Sequence, residues 1–337
     1  MSTGPKLGVT LFSFTPLYRA RLYTFEELIR KCGALGLGPG LEIVGFQSIR
    51  GYPSVSDRFA TRFRRLLDDA GLAPSALGAN IDSGRRADRL MTHEETVETL
   101  ELQIRAAAKL GFPVLRVQFG ADGDALESVV ALAERCDVKL GMEVHSPHAI
   151  EHPTMLALRA RFEKVGSPYL GFVPDFGASM HAIPTGLIAR WREDPKAADE
   201  LLELTLVAWE RAHRGESSAF EERRRLMQAA AELDAGPGRY YAFLALTLFG
   251  HQAPEAWSEI MPQVVHVHGK FYDIDADGNE PSMAYDTLMR VFAEGGYEGY
   301  ISSEWEGSIW DEQSDAFDVV RRHQELMRRH LAAAVGA

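Results

Sequence analysis

The sequence predicts a (β/α)8 TIM barrel, on three observations. A strand-then-helix unit recurs along the chain, and eight strands can be drawn, the number that closes such a barrel. The first strand runs into Thr10-Leu-Phe-Ser-Phe-Thr-Pro16, which lacks the glycine-rich phosphate loop that opens a doubly wound sheet. Carboxylates and imidazoles fall at the carboxyl ends of several strands, where barrels of this kind carry their sites.

Strand one is Leu7–Phe12. Thr24 and Glu27 form a capping box ahead of Phe25, Leu28, Ile29, Cys32 and Leu35 at helical spacing, with Gly36 and Gly38 as stops. Strand two is Leu41–Val44. Phe59, Phe63, Leu66 and Leu67 mark a helix that ends at Gly71, and strand three is Ala76–Asn80. A second capping box, Thr92 with Glu95, opens a helix that runs to Gly111, and strand four is Val114–Gln118. Helix Ala125–Cys136, strand Lys139–His145, helix Met155–Val165 and strand Tyr169–Asp175 follow. The rhythm then breaks. Residues 176–262 carry helical patterns over Leu201–Arg211, Ala219–Leu233 and Tyr240–Phe249 with no strand alternation, so they are expected to be a helical insertion within a single domain spanning 1–337. Strand seven is placed at Val264–His268. Helix Ala284–Ala293, strand eight at Tyr300–Glu304 and a final helix Ala316–Ala333 complete the set.

Composition narrows the function. Hydrophobic content of 46% and charged content of 25% over 337 residues are those of a globular protein. A net charge of −12 argues against a nucleic-acid backbone as partner. No apolar stretch is long enough to span a membrane, and Met1–Pro5 lacks the apolar core of a signal peptide. Cys32 and Cys136 lack metal-type spacing and are expected to be reduced thiols. The expectation is a cytoplasmic protein with no membrane or nucleic-acid partner.

Strand five supplies the centre of the functional reading. It is apolar to Met142 and then presents Glu143 and His145, which as i and i+2 share a face roughly 6.5–7 Å apart. Strand six ends in Asp175, strand seven in His266 and His268, and strand eight in Glu304. Carboxylates brought together need a cation. Glu143, Asp175, His268 and Glu304 are therefore the expected metal ligands, with His266 either the ligand in place of His268 or a supporting residue one layer down. An oxygen-rich set of this kind favours Mn2+ or Mg2+, with Co2+ and Zn2+ as alternatives. His145 is suited to proton abstraction near neutral pH. Arg116, Glu42 and Glu306 lie at positions from which they could contact a substrate, Glu306 being as readily a loop charge. The alternative for Arg116 and Glu42 is ion pairing within the barrel. Trp191, Trp209 and Trp257 are candidates for covering the site, binding an aromatic group or lining a subunit interface. His148, His181 and the Arg223–Arg225 cluster are as readily solvated groups.

Glu143, Asp175, the His-Val-His-Gly-Lys run at 266–270 and Glu304 resemble the metal site of the xylose isomerase-like TIM barrels. The runs Glu143-Val-His145-Ser-Pro, His266-Val-His-Gly-Lys-Phe-Tyr272 and Ser303-Glu-Trp-Glu-Gly307, together with the long insertion, resemble the catalytic α subunits of bacterial C-glycoside deglycosidases. That resemblance implies a Mn2+-dependent carbon–carbon lyase acting on 3-oxo-C-glycosides with an aromatic aglycone, paired with a small β subunit. In such a reaction His145 would take the sugar C2 proton, and Lys270 or a metal-bound water would assist protonation of the leaving carbon. The alternative within the same family is a keto-sugar isomerase or epimerase, with Glu143 and Glu304 as acid and base. A non-catalytic, metal-independent carbohydrate-binding barrel is the reading from a different class.

Overall fold

The computed structural model describes residues 4–118 and 121–335. Met1–Thr3, where the amino-terminal segment begins, and the last two residues of the span expected as a single domain lie outside them. Thirteen α-helices and eight strands are present among the described residues. Strand β1 (Lys6–Thr10) is followed by α1 (Thr15–Arg19) and α2 (Phe25–Ala34), β2 (Gly40–Val44) by α3 (Gly45–Ser48) and α4 (Asp57–Ala70), and β3 (Ala73–Gly78) by α5 (His93–Leu110). Strand β4 (Val114–Val117) leads to α6 (Gly123–Cys136), β5 (Lys139–Val144) to α7 (Pro153–Val165), and β6 (Leu170–Pro174) to α8 (Thr185–Glu193), α9 (Asp199–His213), α10 (Ala219–Glu232) and α11 (Gly238–Leu248). A 3-10 run over Pro254–Gln263 then delivers the chain to β7 (Val267–Phe271), α12 (Tyr285–Glu294), β8 (Tyr300–Trp305) and α13 (Ala316–Val335).

Local chemistry sets these boundaries. Both expected capping boxes form: Thr24 receives Glu27 N–H and Thr92 receives Glu95 N–H, and each glutamate bonds back to the cap. Such a cap contributes about 1 kcal/mol. Gly71 and Gly111 close α4 and α5 in left-handed conformations, at φ of 67° and 89°, which a side chain would disfavour. The buried faces of the helices meet the outward faces of the strands. Ile29, Phe63, Ile104, Val129 and Phe292 belong to one continuous core.

The sheet is parallel throughout and runs in the order β6-β5-β4-β3-β2-β1-β8-β7. Among the described residues its two ends meet through isolated bridges, Phe172 to Val264 and Asp175 to His268. Gly141 and Gly171 face this seam, where a Cβ on either would press on Val265. The small residues let Val265 approach and donate its N–H to the Phe172 carbonyl at 3.0 Å.

Two expectations are corrected. Strand seven begins at Val267 rather than Val264, so His268 lies inside the strand and not at its end. Residues Thr185–Glu193 form a helix that the periodic pattern did not reveal; its apolar contribution rests on Leu187 and Trp191. Cys32 is buried and Cys136 half-buried, both as free thiols, and burial pushes the Cys32 thiol up to about 12. No helix among the described residues is long and apolar enough to cross a membrane.

Candidate metal centre

Glu143 is the fifth residue of β5 and is buried. Its strand ends at Val144, so His145 stands just outside the ladder with its side chain 23% exposed. The His145 Nδ1 lies 2.5 Å from the Ser146 carbonyl oxygen, an N–H donating to it. That leaves Nε2 facing inward, 3.8 Å from Asp175 Oδ2. Asp175 directly follows β6, and its Oδ1 accepts the Gly177 N–H at 2.7 Å, which fixes the carboxylate.

Strands β7 and β8 complete the ring. His268 Nδ1 is 2.6 Å from Glu143 Oε1 and 3.2 Å from Glu304 Oε2, while its Nε2 is 2.9 Å from Glu42 Oε1. Burial favours the neutral ring, but Glu304, Glu42 and Glu143 overcome it and push the His268 pKa well above the ordinary histidine range. Glu42 is held below the usual carboxylate range against its burial, by the charge of His268 and by hydrogen bonds from both histidines. The Glu143 carboxyl is lowered in the same way by Arg116 and His268.

The donor set fits a cation. Ligand atoms of Glu143, Asp175, His268 and Glu304 all lie within 4.8 Å of one another, and all four residues are buried. Glu143 Oε2 is buried with no hydrogen-bond partner among the described residues, while Asp175 Oδ2 and Glu304 Oε2 meet the Lys270 ammonium at 3.2 and 3.0 Å. Three buried carboxylates crowded beside one imidazole repel one another, and a bound cation would relieve that repulsion. His268 Nδ1–H donates to Glu143 as the ring stands, and with Nε2–H held by Glu42 a bound cation would take the place of the Nδ1 proton. Glu42, His266 and His268 form a second cluster, but its contacts are internal. Glu42 binds both histidines, and the Ser302 hydroxyl lies 3.1 Å from His266 Nε2.

The other expected site residues fall on two levels. Glu42 is a correction: it is fully buried, both of its oxygens are engaged by histidines, and it does not reach the mouth. His266 Nε2 lies 3.0 Å from Glu42 Oε2, and the residue is not part of the four-residue set. Arg116 is buried with Nη1 3.7 Å from Glu143 Oε2, the ion-pair arrangement within the barrel. Lys270 is not free at the mouth. Its ammonium is enclosed by Asp175 Oδ2 at 3.2 Å, Glu304 Oε2 at 3.0 Å and Glu306 Oε1 at 2.9 Å. Burial disfavours its charge, yet these carboxylates hold its pKa well above normal. Glu306 keeps Oε2 buried and unpartnered among the described residues.

Trp191, Trp209 and Trp257 are almost wholly buried and serve packing, so none forms an exposed aromatic surface. His148 packs edge-on against His152, and His181 Nε2–H donates to the Pro281 carbonyl. Arg225 pairs with Glu222 at 2.6 Å, and Arg223 lies over the Phe220 and Phe243 rings. Beside the centre, Ser146, Pro147, His148, Ala178, Phe249 and Gln252 contribute to the lining of a cavity of about 300 Å3 between the β5–α7 loop and the helices that follow β6.

Sequence reasoning passed over Tyr272. It is 1% exposed, and its Oη has no hydrogen-bond partner among the described residues. The signal was available in the two-residue alternation His268, Lys270, Tyr272.

The model of the xylose isomerase-like TIM barrel matches residues 31–330. The 3'-dehydrocarminate deglycosidase alpha subunit of a Microbacterium species is 47% identical over 334 residues, which cover 96% of this chain and 95% of that protein. A C-glycoside deglycosidase alpha subunit of Arthrobacter globiformis is 42% identical over 340 residues, covering 99% of this chain and 92% of that protein. Among solved structures, a xylose isomerase domain protein from Planctomyces limnophilus superposes with a TM-score of 0.56 at 12% identity, covering 100% of both chains. That likeness is one of fold.

Proposed function

This chain belongs to the xylose isomerase-like TIM barrel family, and we propose that within it the protein is the catalytic α subunit of a metal-dependent C-glycoside deglycosidase. One observation carries the reading. A buried ring of Glu143, Asp175, His268 and Glu304, with His145 at its rim, sits in a chain that is alike along nearly its whole length to deglycosidase alpha subunits. The substrate class is a 3-oxo-C-glycoside with an aromatic aglycone. The partner is a small β subunit, and the location is the cytoplasm.

A divalent cation bound by the four residues would supply Lewis acidity toward the substrate ketone and a neighbouring hydroxyl; the oxygen-rich set favours Mn2+. Glu42 and Arg116 hold His268 and Glu143 from below. A carbon–carbon glycosidic bond does not leave by simple acid hydrolysis, but a ketone at C3 acidifies the C2 proton. His145 accepts that proton at Nε2, because its Nδ1–H is committed to the Ser146 carbonyl. The electron pair from C2–H forms the C1–C2 double bond. The C1–aglycone pair departs with the aromatic carbon, which takes up a proton. Lys270 supplies a fixed positive charge beside the developing enolate, and through its contact with Glu306 it lies on a route by which a proton reaches the leaving carbon. The cavity beside the His145 loop has room for a planar aglycone.

The test is incubation of the protein and its β subunit with a 3-oxo-C-glycoside, with and without EDTA. The expected result is release of free aglycone that chelation abolishes and Mn2+ restores. Keto-sugar interconversion with no aglycone release would assign epimerase chemistry instead and remove the proposal.

A further inference from the structure

Tyr272 lies beside the centre without a task in the reaction just described. Its ring is clamped: Trp310 stacks on it at 5.4 Å and 23°, and Phe249 meets it edge-on at 5.1 Å and 82°. Its carbonyl accepts the Trp305 indole N–H at 2.9 Å, and a Cβ at Gly307 would collide with that same carbonyl. Few side chains have less freedom to turn. Yet the hydroxyl this clamp presents is buried and has no hydrogen-bond partner among the described residues.

Phe271 pairs with Trp305 across β7 and β8, and the Glu306 N–H donates to the Phe271 carbonyl at 3.1 Å, so Tyr272 and Glu306 leave the two strands side by side. Glu306 itself commits Oε1 to Lys270 and leaves Oε2 buried and unpartnered. An unpaired donor and an unpaired acceptor therefore sit on the same side of the metal centre. Neither belongs to the four-residue ligand set. Protein interiors seldom leave such groups unpaired unless a bound molecule completes them. A phenol and a carboxylate together complement one group in particular, an alcohol that accepts from the first and donates to the second.

We propose that Tyr272 and Glu306 form a seat for a single sugar hydroxyl, Tyr272 Oη–H donating to its oxygen and the hydroxyl donating to Glu306 Oε2. The proposal rests on the sugar-acting reading above and adds to it the residues that register the ring on the centre. A site built to bond a hydroxyl rejects the analogue that lacks it far more strongly than an apolar pocket would. Tyr272 is then a specificity-determining contact.

Tyr272→Phe keeps the clamped ring and removes only the oxygen. Calorimetric binding to the Mn2+-loaded αβ complex would be measured for a 3-oxo-C-glycoside and its monodeoxy analogues, beside metal content and thermal midpoint. One deoxy analogue is expected to bind wild type about tenfold more weakly than the parent. Tyr272→Phe is expected to lose about tenfold on the parent and nothing further on that analogue. Glu306→Gln is expected to single out the same analogue, and it carries the test should Tyr272→Phe fail to fold or load metal. Unchanged binding in both variants, or equal losses across every analogue, overturns the proposal. Aglycone release is assayed separately, so failure of the deglycosidase reading appears as binding without cleavage.

Discussion

His145 and Glu143 are two residues apart and differ in every physical respect that matters to their roles. Glu143 is buried, bonded to His268 and close to Arg116, whereas His145 stands partly in solvent with one nitrogen pinned and the other turned inward. His145→Ala is therefore expected to lower turnover by at least about 10²-fold while metal content, read by plasma emission spectrometry, stays at the wild-type level. Turnover near wild type would reduce His145 to a bystander. At this scale the sequence was informative wherever a residue's place in its strand decided where its side chain lies, as for Glu143, Asp175 and Glu304, which come together. It was not informative for Glu42. A glutamate within β2 reads equally well as a mouth residue or a buried one, and its depth follows from the stagger between strands, which binds it to His268 of β7 and to His266 just before that strand. Tyr272 was missed because an aromatic after a strand is usually core, and the alternation with His268 and Lys270 gains weight only beside its unpaired hydroxyl.

Elements were legible where local chemistry sets them. The capping boxes at Thr24 and Thr92 and the glycine stops at Gly71 and Gly111 are written in adjacent residues, and α2, α4 and α5 follow. Strand β7 was displaced because Val264–His268 alternates as a strand should, yet Val264 and Val265 bridge β6 from outside the continuous ladder. His268 still reaches the centre, because the stagger sets it beside Asp175, one residue beyond the end of β6. Helix α8 was hidden for a different reason: with Leu187 and Trp191 as its buried residues, it carries too short an apolar stripe for periodicity to register. The helices between β6 and β7 bury their tryptophans in their own packing, so composition alone overstated what these rings offer a ligand.

Over the whole molecule, stability is tied to charge as well as to the core. The loop between β7 and α12 buries Glu280, whose carboxylate accepts the Ser282 N–H and hydroxyl at 2.7 Å each, and burial raises its pKa to about 7. Between about pH 4.5 and about 7 the folded protein keeps this proton and the unfolded chain releases it. The contribution is present in full below the lower value and lost as pH rises through the upper, amounting to about 3 kcal/mol. Urea denaturation of wild type and Glu280→Gln at pH 5 and pH 8 checks it. The substitution is expected to relieve the loss at pH 8, and an identical pH dependence in the two proteins would rule the effect out.

The seam between β6 and β7 has one more consequence. Asp175 and His268 are direct neighbours across it, joined by one of the two isolated bridges that close the sheet. A cation gripped by both would work as a clasp on a hoop whose staves otherwise barely touch at that point, so loading and closure become a single event. Chelation is then expected to accelerate amide hydrogen exchange first at Val265, whose N–H laces the seam to Phe172, while the β1–β2 ladder on the far side keeps its protection. Uniform loosening around the whole hoop would show that the clasp is absent.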